Sequence, residues 1–314
     1  MFTKKNQLMA ILLIASTMAF VSCKKNDLSS VQAPGHDDET ALKTMINENG
    51  SNPDEMDLLN PVLSKVVGYV YSETNETGMN KINRFRQGEN GLLLPLSSVE
   101  SGGAGNGMGL GSEGAVILDA NHEWLFAVNA GDNSVSSFSV GSDGTLTLAH
   151  TITSGGTTPS SVTTHGNYLY VVNSGSSNIC GFELSAGGMM TKIEGSNQPL
   201  SANPAGAAQI SFQPEGGVLY VTEKATNKIG IFKLDQNGAA MPGTFMNSVG
   251  ETPYGFSFAQ TENYMVVSNA AGGAAGMGSA TSYTTDMSGN TNDVNGAVAD
   301  KQAAPCWVAV AKYG

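Results

Sequence analysis

Residues 125–140, LFAVNAGDNSVSSFSV, contain two apolar runs separated by a short polar turn. Runs of this kind, bounded by Asn, Asp and Gly, are typical of two antiparallel strands joined by a tight connection. The same pattern recurs at 169–184 (LYVVNSGSSNICGFEL) and 219–234 (LYVTEKATNKIGIFKL), and its first half recurs at 264–273 (YMVVSNAAGG). The stretch is therefore one copy of an internal repeat.

The spacing of the copies predicts the architecture. A polar residue ends the first strand of each copy, and successive polar residues lie 44, 50 and 46 positions apart: Asn129, Asn173, Glu223 and Asn269. A period of this length has room for four short strands and is typical of a β-propeller blade. An ordinary β-sandwich would explain evenly spaced strands but not the shared register of strand and turn. We therefore expect an all-β protein, a β-propeller.

The first 23 residues differ from the rest of the chain. Lys4 and Lys5 precede an apolar run that is too short to span a membrane comfortably, which indicates an export signal. The run ends in FVSC, where Cys23 follows a small residue in a pattern that resembles the lipobox of bacterial lipoproteins. This resemblance implies a lipidated Cys23 and a protein anchored in the cell envelope, at its periplasmic face or at the cell surface. The alternative is an ordinary cleaved signal with an incidental cysteine.

Two further segments follow the signal. Residues 24–65 are polar, with scattered charge and little apolar periodicity, and we expect them to form a flexible tether. Residues 66–314 contain the repeats and form the predicted propeller. Its two cysteines, Cys180 and Cys306, could pair in an oxidising compartment or remain free thiols.

The composition limits the kinds of partner and cofactor that we expect. The net charge is −12, and the chain has no basic stripe of the kind that binds phosphate, so nucleic acid is not an expected partner. The four histidines show no metal-ligand spacing, and the chain has no sequence motif of a serine hydrolase or a zinc protease. We expect neither a metal nor another cofactor.

Six motifs together resemble the seven-bladed propeller lactonases, a family that includes 6-phosphogluconolactonase-like and carboxymuconate cyclase-like proteins. They occur in the family's order along the chain: GLGSEGA (109–115), WLFAVNAGDNSVSSF (124–138), TSGGTTPSSVTTHG (153–166), VTEKATNKI (221–229), ETPYGFSF (251–258) and QAAPCWVAV (302–310). The resemblance covers nearly all of residues 66–314. It implies a seven-bladed fold and a possible lactonase activity, although a shared fold does not fix function.

The repeat period gives about five blades for residues 66–314, whereas the family pattern has seven. The last residues, APCWVAVAKYG (304–314), correspond to the inner strand that opens a further blade. We therefore expect a C-terminally truncated propeller. The alternative is a genuine five-bladed ring.

The sequence offers a small set of candidate site residues. Glu223 could act as a general base while Lys224 polarises a carbonyl, although the two could equally form a surface ion pair. Glu113, in the GLGSEGA motif, is a second candidate carboxylate near the axis. The predicted channel lining comprises Asn129, Asn173, Asn269 and Trp307, with turn hydrogen bonds for the asparagines and core packing for the tryptophan as alternatives.

The small number of arginines bears on the substrate. Only Arg84 and Arg86 are present, both in the first repeat, so a phosphorylated or tricarboxylate substrate would lack guanidinium partners near the axis. The leading hypothesis is an envelope-anchored enzyme that hydrolyses an uncharged sugar lactone or a related ester. The alternative is a non-catalytic propeller that binds a protein or a glycan at the envelope.

Overall fold

The computed structural model describes residues 65–259 and 263–311, and these form five antiparallel β-sheets. The predicted signal peptide, Cys23 and almost all of the predicted tether lie outside the described residues. Within the described ranges, no helix is long and apolar enough to cross a membrane. The all-β prediction is confirmed.

Each sheet is a meander in which consecutive strands pair. The first sheet contains β1 (Val66–Glu73), β2 (Lys81–Gly88) and β3 (Leu93–Glu100). The second contains β4 (Val116–Leu118), β5 (Trp124–Asn129), β6 (Ser134–Val140) and β7 (Leu146–Thr153). The third contains β8 (Pro159–His165), β9 (Tyr168–Asn173), β10 (Asn178–Leu184), β11 (Met190–Lys192) and β12 (Gln198–Pro199), the last two both pairing with β10. The fourth contains β13 (Ala207–Phe212), β14 (Val218–Glu223), β15 (Lys228–Lys233) and β16 (Thr244–Asn247). The fifth contains β17 (Pro253–Phe258), β18 (Tyr264–Asn269), β19 (Ser279–Thr285) and β20 (Thr291–Ala299).

The five sheets are five blades of a β-propeller, packed through their inner strands. Strand β8 contacts β4 on one side and β13 on the other, and β13 in turn contacts β17. Hydrogen bonds join neighbouring blades: the backbone N–H of Ile210 donates to Ser161 Oγ at 3.2 Å. The Gln209 side chain accepts from the N–H of Phe256 at 2.6 Å and donates to its carbonyl at 3.1 Å. The inner strands therefore surround a common axis, as the repeat predicts.

The repeat motif corresponds to the second and third strands of a blade. In the second blade, Asn129 pairs with Ser134 at the turn, and Leu125 pairs with Phe138 four residues further along. The turn residue Asn133 has φ of 61°, a left-handed conformation that asparagine tolerates well. Its counterparts Ser177 and Asn227 have φ of 52° and 53°. The three copies therefore share one turn conformation.

Residues 304–311 run beside the inner strand of the fifth blade. The N–H of Gly255 donates to the carbonyl of Cys306 at 2.9 Å, and exposure alternates from Trp307 to Ala311. No strand is assigned to the segment. The described residues therefore do not show the predicted inner strand as a regular strand.

A tyrosine hydroxyl joins each of two blades to the next. The Tyr170 hydroxyl donates to the carbonyl of Gly238 at 2.6 Å, and the Tyr71 hydroxyl donates to the carbonyl of Gly144 at 3.1 Å. Both carbonyls belong to the outer turn of the following blade. These bonds satisfy polar groups that blade packing removes from water.

Replacing Tyr170 by phenylalanine is expected to lower the free energy of unfolding by about 1 to 2 kcal/mol, because the Gly238 carbonyl loses a buried donor. Urea denaturation followed by circular dichroism measures the change. The matched control is Tyr264→Phe, at a residue that is 37% exposed. Equal effects at the two positions would contradict a specific role for the Tyr170 hydroxyl.

Candidate functional site

The inner strands enclose a polar channel along the axis. Its cavity measures ≈ 410 Å³ and is lined by β4, β8 and β13 together with Glu113. Polar groups from Thr163, Gln209 and Ser211 share the wall with the apolar side chains of Val116 and other residues. The channel can therefore hold water and a small polar ligand.

A second cavity of ≈ 290 Å³ lies close by, and we call it the mouth cleft. Residues 73–75, at the end of β1, and residues 108–112 line it. Tyr254 and Trp307 contribute two aromatic rings. Three motifs far apart in the sequence, GLGSEGA, ETPYGFSF and QAAPCWVAV, therefore meet at this cleft.

The segment between the two cavities, residues 109–113, is held by the third and fourth blades. Lys224 Nζ donates to the carbonyl of Gly111 and lies 4.7 Å from the centre of the Tyr254 ring, in a cation–π contact. Ser112 Oγ donates to the carbonyl of Ser160 at 2.7 Å. The N–H of Glu113 donates to the carbonyl of Ala208 at 3.0 Å. The segment is therefore a fixed support for the Glu113 side chain.

Glu113 carries a carboxyl group that is poorly solvated. Its Oε2 is buried and has no hydrogen-bond partner among the described residues. Burial raises the pKa of Glu113 to about 7. The oxygen lies against Gly255, where an added Cβ would come closer than 3.0 Å to it. A carboxyl that changes charge near neutral pH beside a channel is suited to proton transfer.

Glu73 is a second carboxyl of the same kind, and the sequence analysis missed it. It ends β1 and lines the mouth cleft. Asn80 Nδ2 donates to its Oε1 at 2.8 Å, while its Oε2 is buried without a partner among the described residues. Burial raises the pKa of Glu73 to about 8, against a smaller opposing effect of the Asn80 bond. The only sequence signal is a glutamate within a looser copy of the repeat, GYVYSETNETGMNKINRF, at 68–85.

Glu223 occupies a different environment. It is fully buried, its Oε1 accepts from the N–H of Ser201 at 3.1 Å, and its Oε2 accepts from the hydroxyls of Ser201 and Thr226. The carboxylate therefore closes the loop before the fourth blade. These bonds favour a structural role over the catalytic role that the sequence suggested, whereas the adjacent Lys224 does reach the mouth cleft.

The three repeated asparagines are also structural. Asn129, Asn173 and Asn269 are fully buried, which corrects the prediction that they line the channel. Asn129 Nδ2 donates to Ser134 Oγ at 3.0 Å, and Asn269 Nδ2 donates to Ser279 Oγ at 3.2 Å. These two amides tie the end of one strand to the start of the next, whereas Asn173 Nδ2 donates to the carbonyl of Ser154, in the loop before the third blade, at 3.2 Å.

Trp307 follows Cys306, whose carbonyl accepts a hydrogen bond from the N–H of Gly255 in the fifth blade. It lines the mouth cleft and is 61% exposed, so it presents a ring to solvent and is not packed in the core. The nearby Cys306 and the distant Cys180 do not form a disulfide with each other. In the part of the chain that the structure describes, no three His, Cys, Asp or Glu side chains are grouped to hold a metal ion.

Solved structures with the same fold come from several bacteria. A candidate 6-phosphogluconolactonase from Bacteroides uniformis is 17% identical, with a TM-score of 0.56 over 73% of this chain and 67% of that chain. A protein from Lactobacillus plantarum is 17% identical, with a TM-score of 0.55 over 73% and 68% of the two chains. The periplasmic gluconolactonase of Pseudomonas aeruginosa is 14% identical, with a TM-score of 0.56 over 76% and 68%. At such identities these likenesses establish the fold alone.

The comparison with family models identifies the chain more specifically. No curated protein matches it. The model described as "Lactonase, 7-bladed beta-propeller" matches residues 64–201 and 165–277, which together cover more than half of the chain. The described residues form five of these blades. The chain belongs to the seven-bladed β-propeller lactonase family.

Proposed function

We propose that this protein hydrolyses an uncharged sugar lactone or a related ester at the junction of the channel and the mouth cleft. The observation that carries the proposal is the position of Glu113. Its poorly solvated carboxyl faces the channel, beside a cleft that also holds a lysine and two aromatic rings. The gluconolactonase from Pseudomonas aeruginosa, which shares the fold, is named for a reaction of this type.

Glu113 is assigned the role of general base. Its pKa of about 7 leaves a substantial fraction ionised at neutral pH, and a base with a pKa near the working pH is the most effective. The carboxylate would take a proton from water while the water oxygen adds to the lactone carbonyl. Lys224, held at Gly111 and over Tyr254, places a positive charge near the cleft, where it would stabilise the developing oxyanion.

The lack of arginines at the cleft supports an uncharged substrate. Arg84 lies in β2 and donates to the carbonyls of Ser97 and Gly144. Its bonds therefore stabilise the first blade and its contact with the second. The cleft volume of ≈ 290 Å³ is at the small end of the range for ligand pockets, which suits a single ring. The exposed Trp307 ring offers an apolar surface against which one face of a sugar ring would pack.

We also propose a location for the protein. The export signal and the lipobox-like Cys23 support attachment to a cell-envelope membrane through an N-terminal lipid. Labelling of expressing cells with a radioactive fatty acid tests this proposal. The label should enter the wild-type protein and be absent from Cys23→Ser.

Replacing Glu113 by glutamine is expected to lower kcat/KM for an aldonolactone by about 100-fold or more, because the amide cannot accept the proton from water. In the wild type, activity should fall as the pH drops below about 7, where Glu113 becomes protonated. Titration of the released acid in a pH-stat measures both effects.

The matched control is Glu123→Gln, at an exposed residue outside both cavities, and it should retain wild-type activity. A panel of aldonolactones that the wild type leaves intact would argue against hydrolysis. The non-catalytic binding of a protein or glycan would then become the better hypothesis.

A further inference from the structure

We infer that Glu73 is a second catalytic carboxyl, the general acid that protonates the ring oxygen as the lactone opens. The inference rests on the proposed function and adds a residue that neither the repeat nor the family motifs single out. It stands on the geometry of the mouth cleft.

Glu73 lines the same cleft as the segment that leads to Glu113. It ends β1, whereas residues 109–112 lead into the second blade, and both groups line the mouth cleft. Glu113 follows directly and lines the neighbouring channel. A ligand that extends from the cleft into the channel would therefore lie beside both residues.

The surroundings of Glu73 favour its neutral form. Asn80 Nδ2 donates to Oε1, which favours the ionised form, but Oε2 is buried with no partner among the described residues, which favours the neutral form. Tyr254 also lines the cleft, and Lys224 lies above its ring and donates to the carbonyl of Gly111. The raised pKa of Glu73, about 8, comes chiefly from burial. A protonated Oε2 is then a donor whose acceptor a ligand oxygen would supply.

The two carboxyls divide the reaction between them. Glu113 takes a proton from water, and the new C–O bond forms a tetrahedral intermediate with a negatively charged oxygen. When that intermediate collapses, the carbonyl re-forms and the ring C–O bond breaks. Glu73 gives its proton to the departing ring oxygen, so that the alkoxide leaves as a hydroxyl group. Glu113 ends with one proton more and Glu73 with one fewer, and exchange with solvent restores both.

The leaving group distinguishes an acid from a residue that only shapes the cleft. A ring alkoxide is a poor leaving group and needs the proton, whereas 4-nitrophenolate leaves readily without one. Glu73→Gln is therefore expected to lower kcat/KM for an aldonolactone by about tenfold or more, and to change kcat/KM for 4-nitrophenyl acetate by less than about twofold. Glu113→Gln should impair both reactions.

The pH profile of the wild-type full chain gives a second measurement that needs no variant. Lactone hydrolysis should decline above about pH 8, where Glu73 loses its proton, and ester hydrolysis should not. Glu76→Gln, three residues away at an exposed position, is the control and should match the wild type on both substrates.

The outcomes test the acid role of Glu73 and the proposed hydrolysis separately. Equal losses on both substrates in Glu73→Gln, or an unchanged lactone rate, would overturn the acid role while leaving the proposed function intact. A wild-type protein that hydrolyses neither substrate would overturn both. A common alkaline decline for the two wild-type reactions would also contradict the acid role.

Discussion

Replacing Gly238 by alanine is expected to lower the free energy of unfolding by about 3 kcal/mol, from two separate costs. Gly238 has φ of 78°, a left-handed conformation that disfavours any Cβ by about 1 to 2 kcal/mol. An added Cβ would also lie closer than 3.0 Å to the ring of Tyr168 in the preceding blade. Overpacking of this kind typically costs about 1 to 3 kcal/mol.

The same contact between a turn glycine and an aromatic ring recurs where other blades pack together. Gly144 and Gly188 occupy the same outer turn of earlier blades, with φ of 74° and 75°. A Cβ on either one would meet an aromatic ring of the preceding blade, Tyr69 or Trp124 respectively. The repeated glycine therefore lets each outer turn approach the neighbouring sheet closely, which buries the aromatic ring.

Gly217→Ala separates the two costs. Gly217 has φ of 75°, but an added Cβ there would have nothing within 4 Å, so only the backbone cost applies. Urea denaturation of both variants should therefore show the larger loss for Gly238→Ala. Equal losses would mean that the outer turn can move away from Tyr168 at little cost.

The blade architecture could be read from the sequence because the same physical demands recur in every copy. Alternating side chains pack each sheet against the next. One residue of the turn must also tolerate a left-handed backbone, as Asn133 and Asn227 do. Those demands fix a pattern and a period. The close approach of Gly238 to Tyr168 could not be read in the same way, because it joins residues 70 positions apart in different copies.

The candidate site was harder to predict because a site departs from the repeat. Glu223 was a candidate because it is the one carboxylate at a repeat position that is otherwise asparagine. Its longer side chain nevertheless bonds to Ser201 and Thr226, so it has a structural role as the asparagines do. Glu113 was identified through its motif. Glu73 was missed because nothing in its own copy of the repeat shows that the cleft buries it.

Replacing Glu73 by glutamine is expected to stabilise the protein relative to the wild type as the pH rises from 4.5 to about 8, by at most about 5 kcal/mol. The sign follows from proton binding. The folded pKa of Glu73 is raised to about 8 from an ordinary value of 4.5, so between these values the folded wild type binds more protons than the unfolded chain. Its stability therefore falls as the pH rises through this window, and glutamine, which cannot ionise, removes that contribution.

The measurement is a series of urea denaturation curves between pH 4 and about 9 for wild type, Glu73→Gln and Glu76→Gln, compared as differences at each pH. Taking differences removes the repulsion that the net charge of −12 adds at high pH, since that repulsion acts on all three proteins. A Glu73→Gln difference as flat as that of the exposed Glu76→Gln would mean that the carboxyl ionises normally in the folded protein. Glu73 could not then donate a proton at neutral pH, and because no substrate enters the measurement, this result would remove the general acid without touching the role of Glu113.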